Sequence, residues 1–240
     1  MIGKAALPYI EISLRTFEDT RSKSFGRKLS HILWADDDLL VPQKFGPNTR
    51  GKKLFSNTEN FMSFWPHDVG TWKRNKKLKN FGFVTHTEQT QGGLNPGAFI
   101  LHSQYTNVID WKMKFEKLCS LFNPQLGMMH LYTDFECLLE NSTYDFREAN
   151  FGALWKPSVP GLGWMFAAGE RFYKPTIAID LGDADVQRND FGNYLTIQIA
   201  KSADEIIEDF HTYQKRRDNL ISRFPQQYYQ KMYEQIRLSS

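Results

Sequence analysis

The side chains of this chain that could do chemistry are six histidines, two cysteines and several runs of carboxylates. His31, His67, His86, His102, His130 and His211 stand at spacings that match no ligand set, whereas a closed metal site needs several donors converging on one point. His86 and His102 fall in two segments with strand character, where a metal pair is conceivable. Without a third donor at a matching spacing, they are read as satisfied polar strand positions. Asp36, Asp37 and Asp38 are adjacent and cannot converge on a cation without a special turn, so they are read as a solvated helix end or loop. The polar loop from Gly182 to Gly192 carries Asp183, Asp185 and Asp190. It lacks the glycine at the sixth position and the terminal bidentate glutamate of a calcium loop. Cys119 lies on an apolar helical stripe and is read as a buried thiol; with Cys137 it makes no disulfide framework. No Gly-x-Ser-x-Gly elbow, Walker loop, His-Glu-x-x-His or Cys-x-x-Cys pair occurs. The expectation is a protein that is not an enzyme, with no catalytic residues, metal or cofactor.

Charge is more informative than motif. The net charge of +3 conceals a division along the chain. From Lys44 to Lys79 nine Lys/Arg stand against two acidic residues, a balance of +7; from Asp134 to Asp209 fourteen Asp/Glu stand against six Lys/Arg, a balance of −8. Such asymmetry bears on what each surface attracts rather than on fold. Phe61, Phe64, Trp65 and Trp72 are interleaved with the basic residues, a composition that suits single-stranded nucleic acid. No nucleic-acid motif is recognised beside them, so a solvated basic face over core aromatics is the preferred reading. Nucleic-acid binding through residues 44–79 is the alternative. The acidic stretch Asp134, Glu136, Glu140, Asp145 and Glu148 is read as solvated surface, since spacing alone does not place two carboxylates across a cleft.

The elements that must position these residues read as an α+β chain. Hydrophobic content of 41% with 24% charged residues is that of a globular protein. The alternation of Tyr9–Arg15 marks a half-buried strand, followed by a helix capped at Asp19 or Thr20, with Phe25, Leu29, Ile32 and Leu33 on one face. Phe81–Glu88 and Ala98–Gln104 read as an antiparallel hairpin across the turn residues of 92–97. Asn107 is the expected cap of a helix striped by Trp111, Phe115, Leu118, Cys119 and Phe122, which Asn123-Pro124 ends. Strands are expected at 127–133, 164–168, 175–181 and 193–200. Ser202-Ala-Asp-Glu205 is a capping box that opens a single helix running to Phe224. The sum is a mostly antiparallel sheet of about six strands with helices packed on it, in one domain spanning 1–240 whose tail, 226–240, adds a loosely attached helix.

Around the middle of the chain, Pro157, Pro160, Gly161 and Gly163 interrupt an aromatic segment and lead into Trp164-Met-Phe-Ala-Ala168, closed by Gly169. Together with the opening strand and helix and the central hairpin, the run Val159-Pro-Gly-Leu-Gly-Trp-Met-Phe-Ala-Ala-Gly169 resembles bacterial polymorphic-toxin immunity proteins, specifically the immunity protein 52 family among type VI secretion immunity proteins. The resemblance covers roughly Pro8 to Phe224. It implies a non-enzymatic protein that binds one cognate toxin domain and blocks it, the toxins of such relatives being of the restriction-endonuclease type. On that reading Asp183, Asp185 and Asp190 are the first candidates for toxin contact, with Asp134 and Glu136 as a second set. The N-terminal residues lack the pattern of a signal peptide, and no apolar run approaches the roughly 20 residues of a spanning helix. A cytoplasmic location, no membrane partner and a cytosol-acting toxin are therefore expected.

Overall fold

The computed structural model describes residues 8–35, 39–47, 53–67, 70–90, 93–133, 162–170 and 187–224. The chain divides into two compact units: Met1–Glu88 with Asn95–Asn123, and Gln89–Leu94 with Pro124–Ser240. Both are built from antiparallel strands and helices. The expectation of about six strands is too low, because twelve occur among the described residues. Those missed are short pieces of two to four residues, such as Lys44–Gly46, Lys53–Leu54 and Thr71–Arg74, in which a period of two cannot declare itself.

In the first unit, β1 (Tyr9–Thr16), β2 (Lys44–Gly46), β3 (Lys53–Leu54), β4 (Thr71–Arg74), β5 (Asn80–Thr85) and β8 (Gly97–Gln104) run in the order β1-β8-β5-β4-β2-β3. The expected hairpin is β5 against β8, with Phe81 opposite His102 and Phe83 opposite Ile100. Its connection holds a two-stranded ribbon, β6 (Glu88–Thr90) with β7 (Gly93–Asn95). Three helices cover one face of the six strands: α1 (Lys23–Trp34), α2 (Thr58–Met62) and α3 (Trp111–Phe122). Phe45, Trp72, Leu101 and Ile12 form one row on that face, all buried. Aromatic rings fill the layer between sheet and helices. Trp34 meets Phe61 edge-on at 4.9 Å, Phe61 meets Phe45 at 5.3 Å, and Phe99 meets Phe122 at 5.2 Å.

The caps differ from expectation. Ser22 accepts from the Phe25 N–H to start α1, while Asp19 accepts from Arg21 N and Thr20 bonds His86. Asp110 rather than Asn107 caps α3, through the Met113 N–H. A cap stands immediately before the helix and accepts from the N–H three residues on; Ser22 and Asp110 hold that place, and the predicted residues lie two or three positions too early. The apolar stripe of α3 is buried along its whole length, as expected. The opposite end of α1 is closed by a tertiary contact. Lys114 of α3 is buried and donates from Nζ to the Ile32 and Leu33 carbonyls at 2.7 and 3.4 Å, where the helix has unpaired acceptors.

In the second unit, β9 (Leu126–Tyr132), β10 (Met165–Gly169), β11 (Gln187–Asp190) and β12 (Tyr194–Gln198) run β9-β10-β12-β11, all antiparallel. Gly163 allows the close approach that its place after Pro160 suggests, since a Cβ there would lie 2.5 Å from the Met129 carbonyl oxygen; Gly169, which ends β10, is as tightly placed, because a Cβ there would collide with the Pro124 carbonyl oxygen. The helix expected from Ser202 to Phe224 is two helices, α4 (Ala203–Glu208) and α5 (Phe210–Ser222). Asp209 between them is non-helical at φ −139° and recaps the chain by accepting from Thr212 N. The break leaves Ile207 outside the core, while Ile206, Phe210, Tyr213, Leu220 and Phe224 stay inside. The expected strand at 175–181 lies outside the described residues.

On β5, Gly82 points into the aromatic layer between two outward phenylalanines, and a Cβ there would fall inside the Trp72 indole. Gly82→Ala is therefore expected to lower stability in urea unfolding by about 1–3 kcal/mol, as overpacked core positions do. Adding Trp72→Phe to that variant should recover part of the loss. Recovery of none would mean that the indole is not what opposes the methyl group.

Candidate functional site

Among the predicted contact residues, Asp190 is described, and it ends β11 rather than lying in a loop. The segment Gln187–Asp190 is wholly polar and carries no strand signal of its own. Pairing with β12, which sets Asp190 opposite Leu195, makes the strand. Asp183, Asp185, Asp134 and Glu136 lie outside the described residues. Beyond Asp190 the chain turns tightly. The Phe191 N–H donates to the Tyr194 carbonyl at 2.9 Å, Gly192 takes φ +83°, and the Asp190 carboxylate accepts from the Gly192 N–H at 2.9 Å. Glycine at the first position of a two-residue turn suits a hairpin whose twist matches its strands. The tip holds Phe191 48% exposed, its ring stacked on that of buried Tyr194 with centroids 4.9 Å apart and planes 19° apart. A composition-based reading overlooked Phe191. Its signal was an aromatic immediately before Gly-Asn at a hairpin turn.

The basic segment is resolved into two classes of residue. Phe61, Trp65 and Trp72 are buried, so these rings belong to the core and do not offer a stacking surface; Phe64 is half-buried, with Lys53 Nζ 3.3 Å above its centroid. Lys44 and Lys73 mark the other face of the sheet, whereas Lys53 pairs with Phe45 on the helix side. Lys44 lies opposite Lys73, Lys73 opposite Phe81, Phe81 opposite His102, and His102 opposite Glu11, a single row across β2, β4, β5, β8 and β1. Paired residues of antiparallel neighbours share a face, so this row and the next, with Phe83, lie away from the three helices.

His86 and His102 sit in unlike surroundings. His102 Nδ1 is 3.0 Å from Glu11 Oε2, and the Glu11 side chain is only 1% exposed, so both sides of β1 are buried at this point rather than one. The other carboxylate oxygen, Oε1, is buried without a hydrogen-bond partner. Removing the imidazole would leave the carboxylate alone in a low-dielectric site. His102→Leu is expected to lower stability by about 3 kcal/mol, the scale for breaking a buried pair. In the Glu11→Gln background the same change should matter much less. Additivity of the two in a double-mutant cycle would show that the pair is not coupled.

His86, just past β5, holds Nδ1 2.6 Å from the Thr20 hydroxyl and meets the Trp65 ring edge-on. Burial pushes its pKa below the ordinary histidine value, with Arg21 adding to the shift, while the Pro66 carbonyl and the Asp19 and Glu88 carboxylates pull the other way. A histidine that is harder to protonate when folded stabilises the fold above its unfolded pKa of about 6.5. That contribution declines as pH falls below it, because the unfolded chain takes up the proton first. Acidification from about pH 7 to about 5.5 should therefore lower the thermal midpoint more in the natural protein than in His86→Gln. Parallel curves would show that His86 is not responsible.

No family model matches this chain, and neither a curated protein nor a solved structure does.

Proposed function

We propose that this protein is a non-catalytic inhibitor of a cytosol-acting toxin domain, in the manner of the immunity proteins that it resembles, and that it works by covering the toxin's functional surface. The observation that carries this reading is the β11–β12 hairpin tip. An exposed aromatic ring held in place by a buried one is the kind of anchor around which tight interfaces are organised. Stacking on Tyr194 restricts Phe191 before any partner arrives, which lowers the entropy lost on binding. Asp190 stands beside it, with Asp183 and Asp185 a few residues earlier in sequence and Asp134 and Glu136 as a second acidic set. The −8 balance of residues 134–209 suits the basic cleft of a nuclease, and local charge of this kind accelerates encounter more than it deepens affinity.

The test uses the toxin domain encoded by the neighbouring gene, with association and dissociation followed separately. Phe191→Ala should weaken the complex by at least about 2 kcal/mol, mainly through faster dissociation. Reversing the charge of Asp183, Asp185 and Asp190 together should slow association and flatten its salt dependence, leaving the fold intact. Unchanged kinetics in both variants would remove the hairpin from the interface. Neighbouring genes that encode no toxin-like domain would count against the function itself.

A further inference from the structure

The sheet face of the first unit opposite α1, α2 and α3 carries an arrangement that the toxin reading does not use. Phe81 and Phe83 alternate with Gly82 on β5, both half-buried, their ring centroids 6.4 Å apart. Phe81 also neighbours the His102 ring on β8 at 6.5 Å. Lys73 and Lys44 continue the row outward across β4 and β2. At one end of β5 the turn from β4 exposes Lys76, Lys77 and Lys79, the last two residues from Phe81. Rings at strand period on a sheet face, with ammonium groups on the same face and at its rim, form a stacking platform beside a backbone-binding rim.

The order of residues supports that use. Contrary to the reading that no nucleic-acid motif stands beside the basic segment, Lys79-Asn-Phe-Gly-Phe-Val-Thr-His86 agrees with the ribonucleoprotein motif of RNA-recognition sheets (basic, glycine, aromatic, small, aromatic, valine, any, aromatic) at six of its eight positions, departing at Asn80 and His86. Neither exception touches the platform. Asn80 points to the helix side, where its Nδ2 donates to the Leu39 and Leu78 carbonyls, and His86 lies beyond the strand against Thr20. The two rings therefore keep the strand-period spacing that stacking requires. Flat rings select unstacked bases over a plain polyanion, so the charge and the rings together favour nucleic acid over an acidic protein.

We infer that this face binds single-stranded nucleic acid, with bases stacked on Phe81 and Phe83 and phosphates held by Lys44, Lys73 and the lysines of the β4–β5 turn. It uses only residues of the first unit and is independent of Phe191 and of the toxin reading. The test is fluorescence anisotropy of the full-length protein with labelled oligo(rU) and oligo(dT) of about 12 nucleotides and with a duplex of the same length. Either single strand should bind at least about tenfold more tightly than the duplex, and the better of the two tells RNA from DNA. Phe81→Leu and Phe83→Leu keep apolar bulk but lose the flat ring, and each should weaken binding by about tenfold. Lys76→Ala with Lys79→Ala, both at exposed positions, should reduce the slope of log affinity against log salt by about 1.4 between roughly 50 and 200 mM. The inference is overturned if neither strand binds at about 50 mM salt. Affinity indifferent to both leucine variants, or competition by polyglutamate as strong as by oligo(dT), would overturn it equally.

Discussion

Trp72 occupies the space that a side chain at Gly82 would fill, and much of the first unit follows from that contact. The indole reaches over the neighbouring strand β5 into the layer shared by Trp34, Phe61 and Phe99, which ties α1 and α2 to the sheet. For the indole to lie there, β5 must present glycine inward. Because side chains alternate along a strand, the residues flanking that glycine must then point away from the helices. Phe81 and Phe83 are outward for this reason, and the half-buried aromatic face is the counterpart of a tightly filled core.

Polar groups inside the molecule tie elements together instead of forming a reactive centre among the described residues. Lys114 closes the C-terminal end of α1 from a different helix, the Thr16 hydroxyl donates to the Phe122 carbonyl that ends α3, and Glu11 pairs with His102 across two strands. Each joins positions far apart in sequence, and each satisfies a group that burial would otherwise penalise. Cys119 belongs to the same description: fully buried on the stripe of α3, its thiol is held protonated by desolvation, with Glu116 adding to the shift. A thiol so placed is a packing element rather than a nucleophile.

The two candidate surfaces draw on different physics. At the hairpin tip, a tight turn and one aromatic stack present a small, pre-ordered anchor beside carboxylates. On the sheet face opposite α1, α2 and α3, flat rings and flexible ammonium groups suit an extended partner read through stacking and charge. Composition suggested both charges, but it attached the wrong aromatics to the basic one. Phe61, Trp65 and Trp72 drew notice because they are interleaved with lysine, yet they are core; the rings that share the lysine face lie just beyond, at 81 and 83.

The α+β class, the β5–β8 hairpin, the buried stripe of α3, the close approach at Gly163 and a strand within 193–200 were all legible in the chain itself. Each rests on a local regularity, whether a period of two, a period near 3.6 or a glycine that no other residue replaces. What lay beyond reach was decided between distant residues. The short strands β2, β3, β4 and β11 exist through their neighbours' hydrogen bonds, Asp209 breaks a helix that its periodicity would have continued, and Lys114 serves another helix's end. The register that sets Lys73 beside Phe81 is of the same kind, because a ladder aligns residues by pairing across strands, and no spacing along one strand encodes which partner it will meet.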